Sequence, residues 1–229
     1  MAISTAQKSK ILRVINVFET GSQEGKYDSI SIYKDGTVNG NKVYQITYGR
    51  SQTTEFGNLK RMIELYINRQ GLYATAFKKY VSKIGKWPSL KDDSTFKSLL
   101  KEAARQDPIM RSTQDEFFDM YYYQPAYDWF IGQGFQMALS LLVIYDSFIH
   151  SGKVPDFLRK LFKERTPFNG GNEKVWIKQY VDTRHNWLKN HSNSLLQKTI
   201  YRTQCFKNQI NSNNWELSQT VVANGVPVS

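Results

Sequence analysis

Residues 7–19 place Ile11, Leu12, Val14, Ile15 and Phe18 at helical spacing, which predicts an amphipathic helix ending near Glu19. Thr20-Gly21-Ser22 follows with helix-stopping chemistry. The period then changes. The stretch YDSISIYKDGTVNGNKVYQITYG alternates apolar and polar residues and carries the turn pairs Asp35-Gly36 and Asn39-Gly40, so two or three short antiparallel strands are expected. Helical spacing returns from Asn58, where NLKRMIELYINRQG closes on Gly71. Further helices are expected over 73–84, 94–105, 114–123, 125–150, 155–164, 173–190 and 193–208, with Pro88, Pro108 and Pro167 in the connections. The span 125–150 is apolar nearly all round in its second half, FQMALSLLVIYDSFI, as a buried central helix should be. The fold class is therefore mainly α, in the α+β sense, with a small antiparallel sheet near the N-terminus. There are no internal repeats and no low-complexity segment.

A chain of 229 residues with 14 Tyr, 13 Phe and 5 Trp can bury a sizeable core and fill one generous domain. The single cysteine, Cys205, excludes an intrachain disulfide, so the core alone must hold the fold. The net charge of +11 implies an anionic partner or surface, and nucleic acid, phospholipid and anionic wall polymers all fit. The basic residues are dispersed in ones and twos, with no block of the kind that forms a nucleic-acid arm. The longest apolar run, 137–145, is too short to span a bilayer. The opening MAISTAQKSKILRV lacks the apolar core of a signal peptide, which leaves open both a cytoplasmic protein and a chain whose leader was removed and replaced by Met-Ala.

Most catalytic chemistries find no support. No phosphate-binding glycine loop and no Gly-x-Ser-x-Gly elbow is present, and His150, His185 and His191 lack metal-ligand spacing, so a zinc site is not expected. What remains is a set of carboxylates at the seam between helix and hairpin. Glycoside hydrolysis needs one protonated carboxyl to assist the leaving oxygen and one ionised carboxylate to direct water or to attack the sugar. Glu19, in the last helical turn beside Ile15 and Phe18, is placed to be partly desolvated and to keep a proton, while Asp28 or Asp35 in a polar hairpin would stay ionised. The same acids could equally be solvated turn residues.

The helix ending in Glu, the Asp-Gly hairpin and the following ITYGRSQTTEFGNLKRMIELY resemble the lysozyme-like glycoside hydrolases, and IYKDG followed by ITYGR is similar to the hairpin of phage lysozymes. Residues 121–152, with YYYQPAYDWF and YDSFIHSG, 164–184, ERTPFNGGNEKVWIKQYVDTR, and 201–217, YRTQCFKNQINSNNWEL, narrow the resemblance to glycoside hydrolase family 46, the chitosanases. It covers nearly the whole chain. It implies a single catalytic domain over 1–229, with two lobes and a substrate cleft between them. It also implies an endo-acting, inverting hydrolase of a β-1,4-linked aminosugar polymer, chitosan foremost, that needs no metal or cofactor. Secretion is implied as well, and a monomer without nucleic-acid or membrane partners is expected. Residue by residue, Glu19 matches the general acid and Asp35 of Asp35-Gly36 the general base, with Asp28 as the alternative because this hairpin is longer than the family's. Thr47 falls near the threonine that holds the attacking water. Tyr48, Arg50, Asn58 and His191 are the expected substrate contacts. Asp182, Arg184 and Arg202 are the expected charged network behind the acid, and Tyr145, Asp146 and His150 are expected to hold the core and the lobe junction.

The chain departs from the family pattern where chitosanases bind glucosamine ammonium groups. Asn58 and His191 stand at or near positions where the family has carboxylates, and Gln124 replaces an Asp. Unless Glu55 or Asp128 substitutes for them, weakened chitosan binding is expected. Together with the charge of +11, this keeps a muramidase acting on peptidoglycan as the runner-up. A non-catalytic glycan- or nucleic-acid-binding protein on the same fold is the other alternative.

Overall fold

The computed structural model describes residues 3–50 and 52–229; Met1-Ala2 lies outside them. In chain order the elements are α1 (Thr5–Thr20), β1 (Ile30–Val38), β2 (Asn41–Tyr48), β3 (Thr53–Thr54), α2 (Leu59–Asn68), α3 (Ala74–Lys78), α4 (Ser94–Gln106), α5 (Pro108–Phe118), α6 (Gln124–Gly132), α7 (Ala138–Ser151), α8 (Asp156–Arg159), α9 (Glu173–Lys189), α10 (Ser194–Gln197), α11 (Ile200–Asn211), β4 (Val221–Ala223) and β5 (Val226–Val228). The chain divides into two compact units, one of residues 1–25 and 121–229, the other of residues 26–120. Among the described residues no helix is long and apolar enough to cross a membrane.

In the first unit, α1 starts at a capping box: the Ser4 hydroxyl accepts from the Gln7 N–H while the Gln7 side chain accepts from the Ser4 N–H. It stops at Gly21, whose left-handed φ of 73° lets its N–H reach the Val17 carbonyl. Glu19 is therefore fixed in the last turn. Helix α7 is buried from Ala138 through Ser147, so its apolar sequence on every side reflects a core position.

The expected continuous helix over 125–150 is two helices. The break falls after Gly132, and Gly134 holds φ 79° with the Phe168 backbone so close that a Cβ there would lie 2.8 Å from its nitrogen. The expected helix over 193–208 likewise divides into α10 and α11, and those over 73–84 and 155–164 shorten to α3 and α8. Helix α5 starts earlier than expected, at Pro108, where the Asp107 carboxylate accepts from the Ile109 N–H. A second antiparallel pair, β4–β5, was not expected; Asn224-Gly225 between VVA and VPV was its turn signal.

In the second unit, β1–β2–β3 form the expected sheet, with Ile30 opposite Tyr48 and Val38 opposite Asn41. The register slips between Tyr33 and Gly36, so Lys34 and Asp35 together oppose Tyr44 in a bulge. The core of this unit gathers Tyr48, Met62, Ile63, Tyr66, Phe77, Phe96 and Leu100, all fully buried.

Candidate active site

Glu19 emerges from α1 with its side chain one-quarter exposed and meets the Arg202 guanidinium of α11. The apolar surroundings expected for this acid are thus only half present. Phe18 supplies a ring under the Arg202 guanidinium, 5.3 Å from its centroid, but the carboxylate itself faces a cation. Arg202 in turn donates to Asp146 on α7 at 2.7 Å, and Asp146 accepts from Arg184 on α9 at 2.7 Å. The Asp146 carboxyl is fully buried. Burial alone would raise its pKa, but Arg202 and Arg184 win and hold it below the usual carboxylate range. The Arg202 guanidinium is pushed up, against its own desolvation, by Asp146 and then Glu19. His150 Nδ1 lies 3.1 Å from Arg184, and burial followed by the two arginine charges lowers its pKa to about 4, so the ring is a neutral acceptor. Burial raises the Tyr122 hydroxyl, and the Glu19 charge raises it further.

Two of the three residues expected in this network, Arg184 and Arg202, are brought together. Asp182 is not: it pairs with Lys207 on a half-exposed face of α9, about 200° around the helix from Arg184. Asp146, expected to hold the core and the lobe junction, is the anion that the arginines share. Its signal in the sequence was the lone acid inside the otherwise apolar run 138–149.

In the other unit the bulge turns the Asp35 carboxylate toward Gln45 of β2, whose Nε2 donates to it at 2.8 Å. The Gln45 amide cannot flip, because its Oε1 accepts from the Phe56 N–H at 3.0 Å. Asp28, the alternative base, is instead paired with Arg105 at 2.6 Å. Thr47 lies two residues beyond Gln45 and so on the same face of β2. Its hydroxyl is buried and, among the described residues, finds no protein partner.

The expected substrate contacts fare differently. Tyr48 is fully buried, donates to the Leu100 carbonyl at 2.7 Å and accepts from Gln114 at 3.1 Å, so it is a core residue and not a surface for sugar. Arg50 is 6% exposed and engaged by Asp115, with its guanidinium 5.0 Å from the Phe118 ring. The turn that carries it requires Gly49, whose φ is 75° and whose Cβ would meet the Gln114 amide at 2.3 Å. Asn58 is partly exposed at the start of α2 and makes no capping bond. His191, in the first unit, is partly exposed and accepts the Asn193 N–H at its Nδ1. Glu55 is fully buried between Ser89, Leu90 and Ile46, and Asp128 is exposed and bonded to Gln124.

The family model for glycosyl hydrolase family 46 matches residues 13–221. The chain belongs to that family. As a family 46 member it is a glycoside hydrolase. It is 27% identical to a chitosanase of Bacillus subtilis (strain 168) over 230 aligned residues, covering 93% of this chain and 79% of that protein. The fold is that of solved family 46 structures. The native chitosanase of Bacillus subtilis MY002 superposes with a TM-score of 0.80 at 22% identity, covering all of both chains. A family 46 chitosanase of Gynuella sunshinyii, in complex with chitotetraose, gives 0.74 at 19% identity, covering 98% of this chain and 97% of that one.

Proposed function

We propose that this family 46 hydrolase is a chitosanase that cleaves internal β-1,4 linkages of chitosan with inversion at the anomeric carbon. The observation that carries the substrate is the family match across 13–221, together with similar proteins that are chitosanases, one of them holding chitotetraose. Glu19 donates the proton to the departing glycosidic oxygen. The Arg202 contact orients it, and Asp146 shares the arginine's charge so that the guanidinium does not bind Glu19 alone. Asp35 is the base. The fixed amide of Gln45 occupies one of its lone-pair sites, and the others remain to receive a proton from water. The Thr47 hydroxyl on the same strand face, which has no protein partner among the described residues, supplies a second hold on that water. The argument for peptidoglycan rested on net charge, on the absence of carboxylates at Asn58 and His191 and on the lysozyme-like hairpin, and none of the family relatives named above supports it. Because the polymer is too large to enter a cell, the enzyme acts outside it.

Incubation with chitosan, peptidoglycan and glycol chitin, with product sizing and an NMR time course, tests the reading. Short chitosan oligomers from early mid-chain cuts, with the α-anomer formed first, are expected. Cleavage of peptidoglycan but not chitosan, or a β-anomer first, overturns it.

A further inference from the structure

The tip of the β1–β2 hairpin encloses a feature that the reaction described above does not use. Val38, Asn39, Asn41 and Val43 face Trp87 across a cavity of about 240 Å³. Trp87 is 61% exposed, an unusual placement for the largest side chain. It is not loosely held. Two and three residues later in the chain, Ser89 Oγ and the Leu90 N–H donate to the buried Glu55 carboxylate at 2.6 and 2.7 Å, and the same carboxylate accepts from the Ile46 N–H of β2 at 3.3 Å. A fully buried acid thus pins the Trp87 segment to the strand that carries the hairpin. Such a fixed aromatic surface loses little freedom when a ligand docks.

Three properties select the ligand. The indole face and the two valines offer apolar contact of the kind that the C–H face of a pyranose ring makes. The exposed amides of Asn39 and Asn41 offer both donors and acceptors at the rim. The lining carries no acid, and Lys86 adjoins Trp87 in the chain, so nothing there neutralises an ammonium group. Val43 and Asn41 also share the strand face of Gln45, the residue that holds Asp35, and lie two and four residues from it, about 7 and 14 Å at ~3.4 Å per residue. A sugar chain engaged at Asp35 can therefore continue along the hairpin to Trp87.

We propose that Trp87 and the hairpin tip form a subsite for an N-acetylglucosamine unit, which directs the enzyme to partly N-acetylated stretches of its polymer. The proposal rests on the aminosugar reading above. Trp87→Ala should lower kcat/KM on partly N-acetylated chitosan about five- to tenfold, through KM, and leave fully deacetylated chitosan within about twofold, while Trp87→Phe restores most of the loss. Since the side chain is exposed, melting temperature should not move. An equal loss on both polymers, or no loss on either, overturns the subsite and leaves the chitosanase assignment standing. If wild-type protein cleaves neither polymer, the chitosanase assignment fails instead, and direct binding still decides the subsite. In the Glu19→Gln protein, N-acetylchitotetraose should shift the Trp87 indole N–H resonance, assigned by its absence in Trp87→Ala, and chitotetraose should shift it less. The reverse order overturns the proposal.

Discussion

Asp146 gives one carboxylate oxygen to Arg184 and the other to Arg202, each at 2.7 Å, with none of the three side chains more than 5% exposed. One buried anion thus serves two buried cations, and Glu19, partly open to solvent, completes the balance from outside. Removing the shared anion leaves Arg184 without a carboxylate partner in the core and Arg202 with Glu19 alone. Asp146→Asn should therefore destabilise the fold by about 3–5 kcal/mol in denaturant melts. The half-exposed pair of Asp182 and Lys207 supplies the contrast: Lys207→Ala should cost less than about 1 kcal/mol. Comparable losses in the two variants would show that Asp146 is not the centre of the network.

Glu19 keeps its place in α1 through Gly21 and through Arg202, and neither depends on its own acidity. Glu19→Gln should fold as the parent does and keep a hydrogen bond from Arg202, yet lose turnover on chitosan by about a hundredfold or more, because an amide cannot deliver the proton. Retention of more than a tenth of the parent rate would remove Glu19 from the reaction.

Asp35 and Asp28 differ in what holds them. Asp28 is tied to Arg105, while Asp35 accepts from a neutral amide that is itself locked. Asp35→Asn should thus cost about a hundredfold or more in kcat. Asp28→Asn should remove only a surface pair, worth about 1 kcal/mol at most, and leave kcat standing. Thr47→Val makes a sharper case. Deleting a buried hydroxyl that has no protein partner among the described residues should not lower stability, but kcat should fall about tenfold or more, the equivalent of ~1.4 kcal/mol of barrier, and Thr47→Ser should restore it. Unchanged kcat in Thr47→Val would exclude a role in holding water.

These residues were not equally legible in the sequence. Glu19 and Asp35 could be nominated because each sits at a local signal, one where helical spacing stops and one at an Asp-Gly pair. The sheet and the buried character of 138–147 followed from periodicity for the same reason. The bulge that aims Asp35 depends on cross-strand register, which one strand's sequence does not reveal. The break before α7 arises because the Phe168 backbone, distant in the chain, packs on Gly134. Tyr48 and Arg50 read as substrate contacts only through the resemblance. Only the packing of Leu100, Gln114 and Asp115 shows that they face inward. Asp182 entered the network because the resemblance pairs it with Arg184, but on a helix positions two residues apart face different ways.

His150 gives a pH signature. Its pKa of about 4 in the fold lies below the ordinary value of 6.5, so between these limits the unfolded chain binds a proton that the native protein does not. Stability must then rise with pH across that window and fall as pH drops from 6.5 toward 4, by up to ~3 kcal/mol from this group. Asp146, whose pKa is depressed below 3.8, adds slope of the same sign only at the acid end of that window. Urea melts at pH 7.5 and 4.5 should show a smaller difference for His150→Gln than for the parent. An identical difference in both would mean that the imidazole is protonated in the native state.

The last expectation concerns long-range charge. Chitosan is a polycation wherever its amines are protonated, and the chain carries a net +11. Asn58 and His191 add no anion where the resemblance led one to be sought, and Glu55, buried in bonds to Ser89 and Leu90, offers none to a ligand. Approach of the polymer is therefore opposed by the protein's own field, which acts over a Debye length of about 10 Å at 0.1 M salt and about 3 Å at 1 M. Initial kcat/KM on chitosan should rise as salt is added at low ionic strength, while kcat at saturation should change little, because the effect lies in association and not in proton transfer. Charge-reversing substitutions at exposed lysines, Lys34→Glu and Lys42→Glu, should raise the low-salt value and flatten the curve. Rates that fall with salt from the outset would show instead that local carboxylates dominate the encounter, as attraction between Asp35 and the polymer's ammonium groups would produce.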